Sequence, residues 1–335
     1  MINRRLFNLA AVAAVGASAS SAMAQIAYSE PGKGPWTGGG LLQRAGGRLH
    51  YVTLGDAHAA KPPIILLHKL GGWVADWRFV APALAEERRV IAFDLPGHGD
   101  SRWLGNAPYL QSLAETAALI VGALDELAIE QVDLIGTSLG GCVSVPIAAF
   151  FPERLRSLAL VSCALGPKRT LAEIAAAIDE PQKKIFTPRG DPIPNDASVT
   201  AKVMGAVNAG PISAEQNASR RRAGRWIQPS ERGVANTDIK GLLARVKTRT
   251  LLLFGDKPNS YLQFREGAEA ALSTSQTRYV ANSGAFVMQD NPAGTAAALK
   301  LFLSESATLS PVSASGSRQP SPHIARQHWP NHSRA

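Results

Sequence analysis

The chain has 335 residues, 45% of them hydrophobic, and 35 Lys and Arg stand against 26 Asp and Glu for a formal net charge of +9. That apolar share can bury a sizeable core and excludes a wholly disordered chain. The positive excess excludes an electrostatic case for nucleic-acid binding, because it is mild and part of it lies in the acid-free ends.

In chain order, the first 24 residues combine a cationic head at Arg4 and Arg5, an apolar small-residue run, and Ala22-Met23-Ala24 before Gln25. This is the pattern of a cleaved secretory signal, and Arg4-Arg5-Leu6-Phe7 also looks like a twin-arginine export signal. Gly16 and several serines break the run, which is short for a membrane span. The mature protein is therefore expected to begin at Gln25, to lie in the periplasm or outside the cell, and to keep no stable membrane span.

From residue 25 to 305 short apolar runs alternate with longer helical patterns, the signature of an α/β domain with a mostly parallel central sheet flanked by helices. The spacing predicts strands at 48–52, 63–67, 89–93, 132–135 and 158–162, with helices at 76–86, 110–127 and 140–150 between them. The alternation lapses over about 166–238, where helical pieces such as Leu171 to Ile178 occur without a clear strand, and this stretch reads as an inserted helical cap. It resumes with strands at 250–254 and 276–280 and helices at 264–271 and 292–303. Arg220-Arg221-Arg222 with Arg225 is expected to solvate a helix. Cys142 and Cys163 could pair after export, but buried free thiols are the favoured reading. Residues 306–335 are rich in Ser, Pro, Arg and His, show no apolar period, and read as a disordered tail; its histidines, His323, His328 and His332, could bind metal in principle, but most such tails bind nothing.

The chemistry gathers after the strand at 132–135, where Gly136-Thr137-Ser138-Leu139-Gly140 matches G-x-S-x-G. A sharp strand-to-helix turn pushes the serine hydroxyl into the open, and side chains at the two glycines would obstruct it. The helix that follows aims unpaired backbone amides at any anion forming beside Ser138.

Several segments together resemble the α/β-hydrolase fold superfamily, in the branch with a helical cap, over residues 40–305. They are the G-x-S-x-G elbow, Phe93-Asp94-Leu95-Pro96-Gly97-His98-Gly99-Asp100-Ser101, Phe151-Pro152-Glu153-Arg154-Leu155, and Leu67-His68-Lys69-Leu70-Gly71-Gly72. The resemblance implies Ser138 as nucleophile, the backbone amides of Leu139 and Leu70 as oxyanion donors, and Asp256 as the acid. Three departures accompany it. Lys69 stands where the oxyanion loop usually has glycine, Pro258 stands three residues after Gly255 where relatives often place the acid, and Gly284 is followed by Ala285 where relatives carry the histidine base.

His68 and His98 occupy places where the family pins loops, so Lys69 is the more interesting substitute base. A Ser-Lys pair works when burial frees the amine, whereas an exposed lysine or one paired with Asp256 does not. Two functions remain open. One is an exported hydrolase of esters, lactones or related acyl compounds with an atypical or absent base. The other is a catalytically impaired relative that binds a small apolar ligand under the cap. Neither calls for a metal or cofactor, and neither fixes an oligomeric state.

Overall fold

The computed structural model describes residues 34–305, so the expected signal at 1–24 and tail at 306–335 lie outside the described residues. Nine strands form one sheet: β1 (Gly38–Arg44), β2 (Gly47–Leu54), β3 (Ile64–Leu67), β4 (Val90–Phe93), β5 (Arg102–Trp103), β6 (Val132–Thr137), β7 (Leu155–Val161), β8 (Thr250–Gly255) and β9 (Ser275–Val280). Their order is β1-β2-β4-β3-β6-β7-β8-β9, with β5 beside β2. From β4 to β9 every neighbouring pair is parallel, and the antiparallel pairs all involve β2.

Every residue of β3, β4, β6 and β8 is buried, as strands covered on both faces require. Alternate residues serve opposite layers. Ile65, Leu67, Phe93 and Leu252 pack with α1 (Leu113–Glu126) and α2 (Leu139–Phe150), while Ile64, Leu66, Ala92 and Leu251 pack with Trp77, Leu84, Leu299 and Phe302 on the other face. Ser112 caps α1 by accepting from the Glu115 amide at 3.3 Å, a contact worth about 1 kcal/mol.

Between β7 and β8 the described residues hold helices and no named strand, including α3 (Ala197–Met204), α4 (Ala209–Ala223) and α5 (Ile227–Ala235). A buried bidentate pair ties this insertion to the rest. Arg78 donates to Glu215 of α4 through both terminal nitrogens, the second bond at 2.8 Å. The arginine cluster divides: Arg222 pairs with Asp100 at the surface, but Arg220 turns inward over the Phe186 ring, where burial depresses its pKa. Both cysteines are free and buried.

The helix expected at 76–86 is instead a 3₁₀ turn at Val74–Trp77 followed by a single turn at Ala81–Leu84. Pro82 has no amide to donate to a preceding turn, so it can only open a helix here. The expected helix at 110–127 begins later, at the Ser112 cap. β1 and β5 escaped prediction. β1 opens on three glycines, which carry no periodic signal, and β5 is two residues long.

Candidate active site

β6 ends at Thr137 and α2 begins at Leu139, so Ser138 is the hinge between them. Its backbone sits at φ 49° and ψ −113°, a region that disfavours side chains. Strain of that kind costs on the order of 1–3 kcal/mol and persists where the surroundings enforce it. The surroundings are visible. A Cβ at Gly136 would collide with the Gly140 backbone, and a Cβ at Gly140 would collide with the Leu67 carbonyl. The Gly140 amide donates to the His68 carbonyl at 2.9 Å, which seats the loop after β3 against the elbow. The amides of Leu70 and Leu139 donate to no group among the described residues, so both remain available to an oxyanion.

The two loop histidines are committed to backbone. His68 Nδ1 donates to the Lys69 carbonyl at 2.7 Å and its Nε2 accepts from the Leu95 amide at 2.9 Å, while His98 Nδ1 donates to the Pro96 carbonyl at 3.0 Å. Burial lowers their pKa values to about 4 and about 3, so both are neutral struts at ordinary pH.

Lys69 is neither exposed nor paired with Asp256. Its side chain is 5% exposed and its ammonium is paired with Asp76, which is fully buried. Among the described residues no hydrogen bond joins Lys69 to Ser138. Asp256 makes no hydrogen bond to Ser138 among the described residues. Its side chain is 38% exposed, one oxygen accepts from the Ser283 amide at 3.1 Å, and that bond together with the Asn282 amide holds the carboxyl below its usual range.

Ala285 is 1% exposed, and its amide donates to the Met204 carbonyl of α3 at 2.7 Å. The end of α3 therefore occupies the corner where an acid and a histidine would meet in a complete triad. The Ser260 amide donates to Val203 at 3.2 Å, and Gly205, at φ 63°, lies against the Pro258 carbonyl and Gly284. Asp290 completes the junction by accepting from the amides of Val207, Asn208 and Gly284, each at 2.9 Å.

The partner that Ser138 does have is Tyr261. The two hydroxyls lie 2.8 Å apart. Asn259 sets the loop by accepting from the Tyr261 amide at 3.0 Å, and Tyr261 packs against the core layer that holds Leu139 and Cys142. Sequence reasoning missed this residue because no motif marks it. The available signal was its place in the loop after β8, where Asp256 and Pro258 had drawn attention.

His50, Asp94 and Asp100 place ligand atoms within 4.8 Å of one another. The Asp94 oxygens already accept from Val74, Asp100 and His50, which makes the trio a pin for the loop after β4. A cleft of about 600 Å³ lined by residues such as Phe186, Arg189, Arg225 and Arg232 does not include Ser138. No helix among the described residues is long and apolar enough to cross a membrane.

Residues 62–184 match the family described as the alpha/beta hydrolase fold. Over 105 residues the chain is 43% identical to a 2-hydroxymuconate semialdehyde hydrolase of Pseudomonas sp. (strain CF600), a match covering 30% of this chain and 36% of that protein. Over 102 residues it is 43% identical to a pimeloyl-[acyl-carrier protein] methyl ester esterase of Aeromonas hydrophila, covering 30% and 37%. A third relative, 43% identical over 120 residues, is the dihydrolipoyllysine-residue acetyltransferase component of an acetoin cleaving system of Pseudomonas putida, covering 36% and 31%. The chain thus spans only between 31% and 37% of the length of these relatives. Among solved structures, the enol-lactonase of Burkholderia xenovorans LB400 superposes with a TM-score of 0.63 at 19% identity, covering 79% of this chain and all of that one. A bacterial membrane phospholipase A superposes with a TM-score of 0.66 at 20% identity, covering 87% and 93%.

Proposed function

We propose that this chain, whose residues 62–184 match the alpha/beta hydrolase fold family and whose fold is shared by solved hydrolases, hydrolyses small carboxylic esters, lactones or related acyl compounds through Ser138. The observation that carries this reading is the strained elbow itself, where Ser138 stands at φ 49° and ψ −113° between β6 and α2 with glycines closed in by backbone on either side. Attack by Ser138 Oγ on the acyl carbon throws negative charge onto the carbonyl oxygen. The donors for it are the amide of Leu70, in the loop after β3, and that of Leu139, at the start of a 12-residue helix. Without an imidazole base the expected turnover is slow. Enzymes that lose one triad member keep roughly 10³–10⁴-fold acceleration over water from the oxyanion hole and binding.

The test is a screen of aryl esters and lactones on wild type and Ser138→Ala, with a phosphonate probe for the serine. Turnover and labelling that both disappear in Ser138→Ala support the reading. Equal rates in the two proteins overturn it.

One observation favours a second reading, that of a binding protein for a small apolar ligand. His68, His98 and Lys69 all serve structural partners, and Ala285 offers no base. Under that reading acyl compounds raise the melting temperature of wild type and Ser138→Ala equally and are recovered intact.

Export is part of the proposal and rests on Arg4, Arg5 and the Ala22-Met23-Ala24 segment. Material recovered from the cell envelope or medium is expected to begin at Gln25, and a mature protein that begins at Met1 sets the export reading aside.

A further inference from the structure

The site lacks a base in the usual place, yet Ser138 Oγ is hydrogen-bonded, and its partner is a phenol. Resting on the hydrolase reading above, we infer that Tyr261 is a catalytic proton relay for Ser138, taking up the serine proton while passing its own to the leaving group. The geometry that carries this is the 2.8 Å contact between the two hydroxyls, within the reach that proton transfer requires. The Asn259 turn and the contact of the Ser260 amide with Val203 fix the loop that presents the ring.

The atoms balance without ionising the tyrosine. In acylation a bond forms between Ser138 Oγ and the acyl carbon, the serine proton passes to Tyr261 Oη, and the tyrosine proton passes to the leaving oxygen as its bond to carbon breaks. The products are an acyl-serine, an alcohol and a neutral phenol. In deacylation water attacks the acyl carbon, its proton passes to Tyr261 Oη, and the tyrosine proton returns to Ser138 Oγ as the acyl–oxygen bond breaks. A phenol suits such a shuttle because one oxygen both donates and accepts.

Its surroundings argue against the other possible role, a phenolate base. Burial raises the Tyr261 pKa above that of an ordinary phenol. The hydrogen bond from Ser138 opposes that rise, while Cys142, Cys163 and Glu231, the titratable groups acting on the ring, add to it. The relay-competent neutral form is therefore present at neutral pH and is lost only as pH rises through that elevated value.

The experiment compares wild type, Tyr261→Phe and Ser138→Ala on an aryl ester and an alkyl ester of the same acyl group, across the pH range. Tyr261→Phe keeps the ring packing, so its thermal unfolding should match wild type. The expected result is a fall in kcat of roughly 10²–10⁴-fold with little change in KM, and a larger fall for the alkyl ester, whose poor leaving group depends more on the donated proton. A kcat that is unchanged or higher in Tyr261→Phe, while Ser138→Ala stays inactive, overturns the relay and leaves the hydrolase intact. A wild type no faster than Ser138→Ala overturns both.

Discussion

Lys69 holds a charge inside the fold, and its removal leaves the Asp76 carboxylate without its counter-ion in a fully buried site. Breaking a buried pair from one side costs about 3–5 kcal/mol, whereas replacing both partners with apolar groups is often nearly neutral. Lys69→Met should therefore lower the urea midpoint sharply, and adding Asp76→Leu should recover most of the loss. A single variant as stable as wild type would show that the pair contributes nothing. It follows that activity lost in a Lys69 variant is to be read first as lost folding. At this scale Ser138 was legible in the sequence, because the elbow needs glycines at fixed offsets and the motif records that need. Tyr261 was not legible, because a hydrogen bond across 123 positions leaves no mark on either local sequence. Asp256 and Lys69 lay on the expected loops, but their side chains took nearer partners, a choice that spacing does not encode.

At the scale of elements, the end of α3 decides what the corner around Ala285 contains. Gly205 takes a left-handed conformation there, and a Cβ would run into the Pro258 carbonyl. Gly205→Ala should cost more than about 1 kcal/mol, since strain and collision act together. If α3 also seats the loop carrying Tyr261, as its contact with Ser260 implies, the same variant should lose turnover beyond its loss of stability. Activity measured well below the melting temperature separates the two effects, and an unchanged kcat would show that the loop is positioned without α3. The sequence announced most parallel strands as short apolar runs such as Ile64–Leu67 and Val90–Phe93, as burial on both faces demands, while the edge strand β9 is largely polar and partly exposed. It announced the insertion only as a lapse in alternation. It misplaced the helix at 76–86, where apolar residues at helical spacing concealed the break that Pro82 imposes.

For the whole molecule, two buried neutral histidines make stability depend on acid. His68 and His98 titrate at about 4 and about 3 in the fold, against 6.5 for a free histidine. Below that ordinary value the unfolded chain binds protons that the folded chain refuses, so stability falls as pH drops from 6.5 toward the folded values. Each histidine contributes a slope of up to about 1.4 kcal/mol per pH unit. Urea titrations across that window should report an uptake of about two protons on unfolding near pH 5, and a flat profile there would mean that the rings are already charged in the fold. The global architecture was the most legible property of all, because it rests on many alternating segments that must agree, while the site rests on a few contacts that need not. The same architecture has a consequence in time. Arg78 with Glu215 fastens the insertion at one point, and Met204 with Ala285 together with Asp290 and the Val207 and Asn208 amides fastens it at a second. An insertion fastened by a buried ion pair and a hydrogen-bonded junction is expected to open seldom. Ligand exchange beneath it should wait on rupture of those fastenings, with association slower than the typical range of about 10⁵–10⁷ M⁻¹s⁻¹ and a long residence once bound.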